Sequence, residues 1–213
     1  MGKEVIMEEM EGKKLLIVEG VEDERFFSVL LKCLQIADIK ILPVGGKFRI
    51  HDNLRHLALH CDFSKVISLG IIRDADDNPS GAFDSVCTAL EKAKLPVPQA
   101  PLIITEGDLR VGVMILPGKD CSGALEDLCL ESVKTDAVIP CVNGYFECLA
   151  EKGIHVPTDV ASSANVAISK AKARVFLASR KDPEKRLGEA AEAGYWDLDS
   201  GVFDAIKQFL QAL

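Results

Sequence analysis

The tightest constraint on the fold is the place where two apolar runs stop. Ile71-Ile72 leads without interruption into Arg73-Asp74-Ala75-Asp76-Asp77-Asn78-Pro79, and Leu15-Leu16-Ile17-Val18 leads into Glu19-Gly20. Both runs are too short for helices and are closed by turn-forming residues, the pattern of strands buried on both faces. In an open parallel sheet, ligands bind beyond the carboxyl ends of such strands. Glu19, Asp74 and Asp76 are therefore expected to converge on one crevice. Crowded carboxylates repel unless a divalent cation holds them, and all-oxygen donors suit Mg²⁺ or Mn²⁺.

Strand and helix patterns alternate through the first two-thirds of the chain. Residues 14–18, 39–44 and 65–72 have strand character. Residues 22–35 carry Phe26, Phe27, Leu30, Leu31 and Leu34 at the spacing of one helical face. A helix is expected over 53–60, and another over 82–94 after Pro79, with Phe83, Val86, Cys87 and Leu90 facing inward. Residues 102–105 and 111–116, joined by Glu106-Gly107-Asp108, predict a β-hairpin. Residues 124–133 predict a helix, and from 136 the chain is mainly helical, interrupted near 153–157 and 194–196. The expected fold class is α/β: a Rossmann-like, mainly parallel sheet with helices on both faces, an added hairpin and a helical C-terminal extension.

Composition sets the boundaries of function. With 48% hydrophobic and 27% charged residues over 213 positions, the chain can fill a core and is not a disordered segment. Residues 1–14 lack the apolar run of a signal peptide, and no stretch reaches the ~20 apolar residues needed to span a bilayer, so a cytoplasmic protein without membrane partners is expected. Seven cysteines without a Cys-x-x-Cys pair are expected as small buried hydrophobes. The net charge of −8 opposes nucleic-acid binding unless a basic patch is set against it. Residues 170–189 supply a candidate, with Lys170, Lys172, Arg174, Arg180, Lys181, Lys185 and Arg186 against three acids.

Other motifs rank below the strand ends. Gly45-Gly46-Lys47 lacks P-loop spacing, yet it follows the second strand on the ligand side. There the glycine amides, with Gly20, and the cations of Lys47 or Arg49 are candidates for contact with a phosphate. Asp74, Asp76 and Asn78 match the first ligand positions of a calcium loop, but Pro79 stands where glycine is required and Ser85 where the last glutamate belongs. His56 and His60 are four apart but lack a third zinc ligand. Glu126-Asp127 is explained by the preference for acids at a helix start.

Leu16-Ile17-Val18-Glu19-Gly20, Asp23, and Ile72-Arg73-Asp74-Ala75-Asp76 together resemble a Toprim domain, the catalytic module of topoisomerases, primases and OLD-family nucleases. The resemblance spans residues 13–133, leaving 1–12 as an N-terminal tail and 134–213 as the extension. An Asp four residues after the Glu is most similar to the OLD-type branch and to small stand-alone Toprim-like proteins. What the resemblance implies is phosphodiester cleavage, with Mg²⁺ or Mn²⁺ on Glu19, Asp74 and Asp76 and Glu19 as general acid or base. It also implies a second metal on Asp23 and Glu126 or Asp127, and a helping lysine, Lys170 or Lys172. Nucleic acid is the implied partner. No ATPase motif accompanies the domain, so a separate ATPase or second subunit is a further expected partner. The alternatives are a non-catalytic nucleic-acid or nucleotide-binding protein and a small phosphoryl-transfer enzyme.

Overall fold

The computed structural model describes residues 14–118, 120–154 and 164–213. The expected tail at 1–12 lies outside the described residues. Among them are four strands, β1 (Lys14–Val18), β2 (Ile39–Pro43), β3 (Ser68–Asp74) and β4 (Arg110–Leu116). Eight α-helices accompany them: α1 (Val21–Cys33), α2 (Ile50–Ala58), α3 (Pro79–Lys92), α4 (Leu125–Ser132), α5 (Ile139–Glu151), α6 (Ala164–Ala178), α7 (Leu187–Glu192) and α8 (Asp204–Ala212). The strands form one parallel sheet in the order β2-β1-β3-β4. It is the mixed α/β architecture with a parallel sheet that the alternation predicts.

Alternate residues of each strand feed two separate hydrophobic layers, as the two-residue period of a strand demands. Leu16, Val18, Ile72, Met114 and Leu116 pack on one face with α1, α4, α6 and the C-terminal helices. Leu15, Ile17, Leu69, Ile71, Val111, Val113 and Ile115 pack on the other with α2 and α3. Each large side chain fully withdrawn from water contributes roughly 1.5–3 kcal/mol, so the central strands are the most strongly held part of the sheet. Residues after 133 enter the first layer through Phe176, Trp196, Phe203, Ile206 and Phe209. They share a core with β1, β3 and β4.

Three expectations need correction. The hairpin does not form: β4 runs parallel to β3, with Ile71 opposite Val113 and Asp74 opposite Leu116. Residues 102–105 only lie against its outer edge, where the Leu102 N–H donates to the Val113 carbonyl (2.8 Å) and the Thr105 N–H to that of Val111 (2.9 Å). That contact covers the open edge without completing a strand. The inward face of α3 is turned about one residue, so that Ala82, Val86, Ala89 and Leu90 are buried while Phe83 and Cys87 are only half-buried. Among the cysteines only Cys129 is buried, and Cys33, Cys61, Cys121, Cys141 and Cys148 are exposed. Apolar sequence neighbours do not determine which way a helical residue points. Cys33 is exposed at the last position of α1, although it follows the buried Leu30 and Phe26 by one and two turns.

Strand order places the crevice. From β1 the chain moves outward to β2 and then crosses back to β3 on the other side of β1, with α1 on one face and α2 on the other. The reversal leaves an opening beyond the carboxyl ends of β1 and β3, the switch point where open sheets bind ligands. Glu19 follows β1 directly and Asp74 ends β3. No helix among the described residues is long and apolar enough to cross a membrane.

One close approach locks a wall of this region. A Cβ on Gly188 of α7 would lie 2.5 Å from Arg25 Cβ and 2.6 Å from the Glu22 carbonyl oxygen of α1. Its N–H also donates to Glu22 Oε2 at 3.1 Å. Gly188→Ala is therefore expected to separate the two helices at a cost of about 1–3 kcal/mol. The melting temperature of the variant should fall by about 2–4 °C for each 1 kcal/mol lost, whereas Gly144→Ala, inside α5 and facing open space, should melt no lower than the wild type and gain up to about 1 kcal/mol from helix propensity.

Candidate functional site

Parallel pairing of β1 with β3 (Ile17 opposite Ile71) brings the two acidic strand ends side by side. The Asp74 N–H donates to Glu19 Oε1 at 3.3 Å, and Arg73 Nε stands 3.9 Å from the same oxygen. Asp74 Oδ1 accepts the Leu125 N–H at 3.1 Å, so the carboxyl also caps the first turn of α4. Asp23, in the first turn of α1, accepts the Gly20 N–H at 2.7 Å. Glu126 enters from α4, and Lys170 from α6. The acids expected from the first and third strand ends are thus joined by two more from helix starts.

Burial and mutual repulsion hold these carboxyls toward their protonated forms. Asp74 is pushed well above the ordinary aspartate range, first by burial and then by the charges of Glu19, Glu126 and Asp23. Burial also raises Glu19, against the opposing pull of Arg73 and the Asp74 N–H. Asp23 is pushed up to about 7, chiefly by burial, with Glu19 and Glu126 adding to it against the Gly20 N–H. Glu126 is raised by burial despite the Lys170 ammonium. Burial disfavours the charge of Lys170 as well, but Glu126, Asp74, Asp76 and Glu19 outweigh it and hold the ammonium above its usual range. Negative charge here exceeds what the local cations neutralise.

Asp76 takes a different position from the other acids. Its Oδ2 accepts from Lys47 Nζ at 2.6 Å, and the two side chains are partly buried, at 19% and 18% exposure. Its backbone has φ 51°, a left-handed conformation that Asp tolerates better than most residues. The Asp76 N–H and carbonyl pair with Gly123 across an antiparallel bridge. Glu19, Asp74 and Asp76 are neighbours, but their oxygens do not meet at one point. Among the described residues, the trio with ligand atoms all within 4.8 Å of one another is His60, Cys61 and Asp62, on an exposed turn away from the strand ends. Lys47 on Asp76 Oδ2, Arg73 beside Glu19 Oε1 and the α4 amide on Asp74 Oδ1 each engage one oxygen of these carboxyls.

The glycine turn has a different use from the one expected. Gly45 and Gly46 both donate their amides to the Glu19 carbonyl, at 2.9 and 2.7 Å. They anchor the loop after β2 to the end of β1 and do not offer those amides to an anion. Both need glycine, with φ of 81° and 113°. The Gly20 amide is likewise taken, by Asp23. Of the expected phosphate-contacting group, Lys47 alone brings a side-chain cation to the site.

Two open choices are resolved by placement. Lys170 faces the acids, whereas Lys172 Nζ donates to Asn143 Oδ1 at 2.9 Å. Asp127 is committed to structure: Oδ2 accepts the Ala124 N–H (2.8 Å) and Oδ1 accepts the Ser169 hydroxyl (2.5 Å), which ties α6 to α4. Glu126 is left as the acid of that pair facing the cluster. Beside it opens a cleft of about 580 Å³ whose lining includes Asp23, Glu126, Lys170, Arg174, Lys185 and Arg186. The basic stretch thus divides. Four of its cations line this cleft, while Arg180 pairs with Asp136 at 3.0 Å. The part played by Arg73 was not apparent from the sequence, although it stands inside the acidic motif.

Comparison with known proteins gives a family and a fold. The family model described as "Protein of unknown function (DUF3226)" matches residues 13–213. No curated protein matches the chain. Among solved structures, the chain is similar to the C-terminal region of the Xanthomonas campestris pv. campestris OLD protein phased with iodine. Identity is 12%, the TM-score is 0.51, and 96% of each chain is covered. The same region phased with mercury gives 12% identity and a TM-score of 0.50, with 96% of this chain and 97% of that one covered. At this identity the likeness is one of fold.

The raised Asp23 carboxyl has a consequence for stability. Between its ordinary value of 3.8 and about 7 the folded protein holds a proton that the unfolded chain releases. Its contribution is complete below the lower value and is lost as pH rises through the upper one. Stability without divalent metal is therefore expected to fall between pH 3.8 and about 7 and to level off above that. Asp23→Asn keeps an acceptor for the Gly20 amide and should flatten that decline in a series of melting curves. An unchanged slope would place the charge repulsion elsewhere.

Proposed function

This chain belongs to the family described as proteins of unknown function DUF3226, and we propose that it is a Toprim-type, Mg²⁺- or Mn²⁺-dependent phosphodiesterase of the OLD-nuclease kind, acting on nucleic acid. The observation that carries the reading is the gathering of Glu19, Asp23, Asp74 and Glu126 from four separate elements, with burial raising each and repulsion within the group adding to it at Asp23 and Asp74. A folded protein keeps buried like charges together at a cost, and such clusters mark functional sites. The donors fit a hard divalent ion in chemistry, because all are carboxylates that repel in its absence. Glu19, Asp23, Asp74 and Glu126 would hold it, with Asp76 exchanging Lys47 for the ion. Bound there, the ion would supply Lewis-acid polarisation of a phosphoryl group and a more acidic water.

The chain's own groups do the rest. Lys170, kept charged by its acidic neighbours, is placed to steady negative charge gathering on a phosphate oxygen. The Glu19 carboxyl, raised above the usual glutamate range by burial, is suited to exchange a proton with a reacting group. Lys170, Arg174, Lys185 and Arg186 line the cleft among Glu22, Asp23, Glu126 and Glu184, and in a chain of net charge −8 these four cations are the contacts that the cleft offers a phosphate backbone. The size of that cleft, about 580 Å³, also favours a second reading, a small phosphoryl-transfer enzyme working on a nucleotide.

Both readings are tested by the same preparation. Purified protein with Mg²⁺ or Mn²⁺ is expected to cleave DNA or RNA and to lose activity in EDTA. Asp74→Asn and Glu19→Gln should each lower the rate by at least about 100-fold, and Lys170→Met by about 100–1,000-fold. Cleavage that survives Asp74→Asn would remove these acids from the mechanism. Turnover of nucleotides with intact polymers would select the second reading. Metal-dependent binding without turnover of either would identify a non-catalytic nucleic-acid partner.

A further inference from the structure

Phe48 is the most exposed large hydrophobic side chain among the described residues, at 82% of its full accessibility. It occupies a short 3-10 turn, Lys47–Arg49, directly after the two glycines that bind the Glu19 carbonyl. The turn is therefore fixed to the end of β1 through two backbone hydrogen bonds of 2.9 and 2.7 Å. Lys47 Nζ reaches in two directions, lying 5.4 Å from the centre of the Phe48 ring and 2.6 Å from Asp76 Oδ2. The ring and an acid of the strand-end cluster are thus held one ammonium group apart. Arg49, also exposed, flanks the ring on its other side in sequence.

Apart from the Lys47 ammonium the ring is left to water, and a turn as such does not require an aromatic side chain. Exposed aromatic faces flanked by cations are what unpaired bases stack upon, the ring taking the base while the cations meet the backbone. We propose that Phe48 is a stacking platform for an unpaired nucleobase, so that the nucleic acid engaged at the strand-end acids is single-stranded at that position. The inference rests on the functional reading above, whose substrate class it narrows. A base seated on Phe48 would carry its phosphate past Lys47 toward the acids. A paired base would keep its faces within the helical stack and leave the ring unoccupied.

The test separates binding from cleavage. Affinity for a short oligothymidylate, for the same oligomer carrying abasic positions, and for a duplex is measured in EDTA, where no metal-dependent turnover occurs. Phe48→Ala is expected to weaken single-strand binding about 5- to 100-fold, to leave duplex binding unchanged, and to add nothing to the loss caused by abasic positions. Phe48→Trp should restore affinity, and its exposed indole should be quenched by the oligomer. The native Trp196, buried against Phe176, supplies a constant background. Equal binding by wild type and Phe48→Ala, equal binding of the abasic oligomer, or no single-strand binding at all would each overturn the proposal. Phe48-dependent binding in a protein that never cleaves would support the platform and sink the phosphodiesterase reading. Cleavage indifferent to Phe48 would do the reverse.

Discussion

Parallel pairing of β1 with β3 is the contact on which the site depends. Both strands are buried on each face by two independent hydrophobic layers, so their register cannot slip without turning apolar side chains outward. The register fixes Glu19 beside Asp74 whatever the electrostatic cost. Packing provides the free energy, and the acids occupy positions that they would not choose for themselves. Arg73, Lys47 and Lys170 relieve part of the repulsion from three directions.

Charge is distributed very unevenly in this protein. The chain as a whole carries a net charge of −8, whereas in the cleft next to the acids four basic side chains stand with four acidic ones. Carboxyls and cations are therefore interleaved along one cleft and are not segregated into separate patches. That arrangement is not visible in the overall charge. It arises because α6 and the segment before α7 are folded over α1 and α4, with Gly188 allowing backbone contact and the Asp127–Ser169 hydrogen bond tying the helices.

Much of the sheet was legible in sequence because burial on both faces leaves a strong signature. The strand 14–18 was read to the residue, and β2, β3 and β4 to within a few residues. Direction was not legible at β4. Alternation around Glu106-Gly107-Asp108 fits a hairpin, and only the pairing with β3 shows that the second run is parallel. Acids at strand ends were found because an apolar run that stops on carboxylates is rare without a reason. The use of the Gly45 and Gly46 amides could not be read, since a backbone acceptor such as the Glu19 carbonyl has no sequence signal. The choice of Lys170 over Lys172 was available in principle. Lys170 shares a helical face with Ala173, Arg174 and Leu177, all at the cleft, and Lys172 lies off it.

The adjoining carboxylates of Glu126 and Asp127 divide labour in a way that bears on how mutational scans of such proteins are interpreted. The first faces the cluster, and the second holds the Ala124 amide and the hydroxyl next to Lys170. Loss of the second would displace the lysine without removing a carboxyl from the cluster. Inactivity alone would then enrol a scaffolding residue among the chemical ones, and the two could be told apart only by whether the helix stays docked.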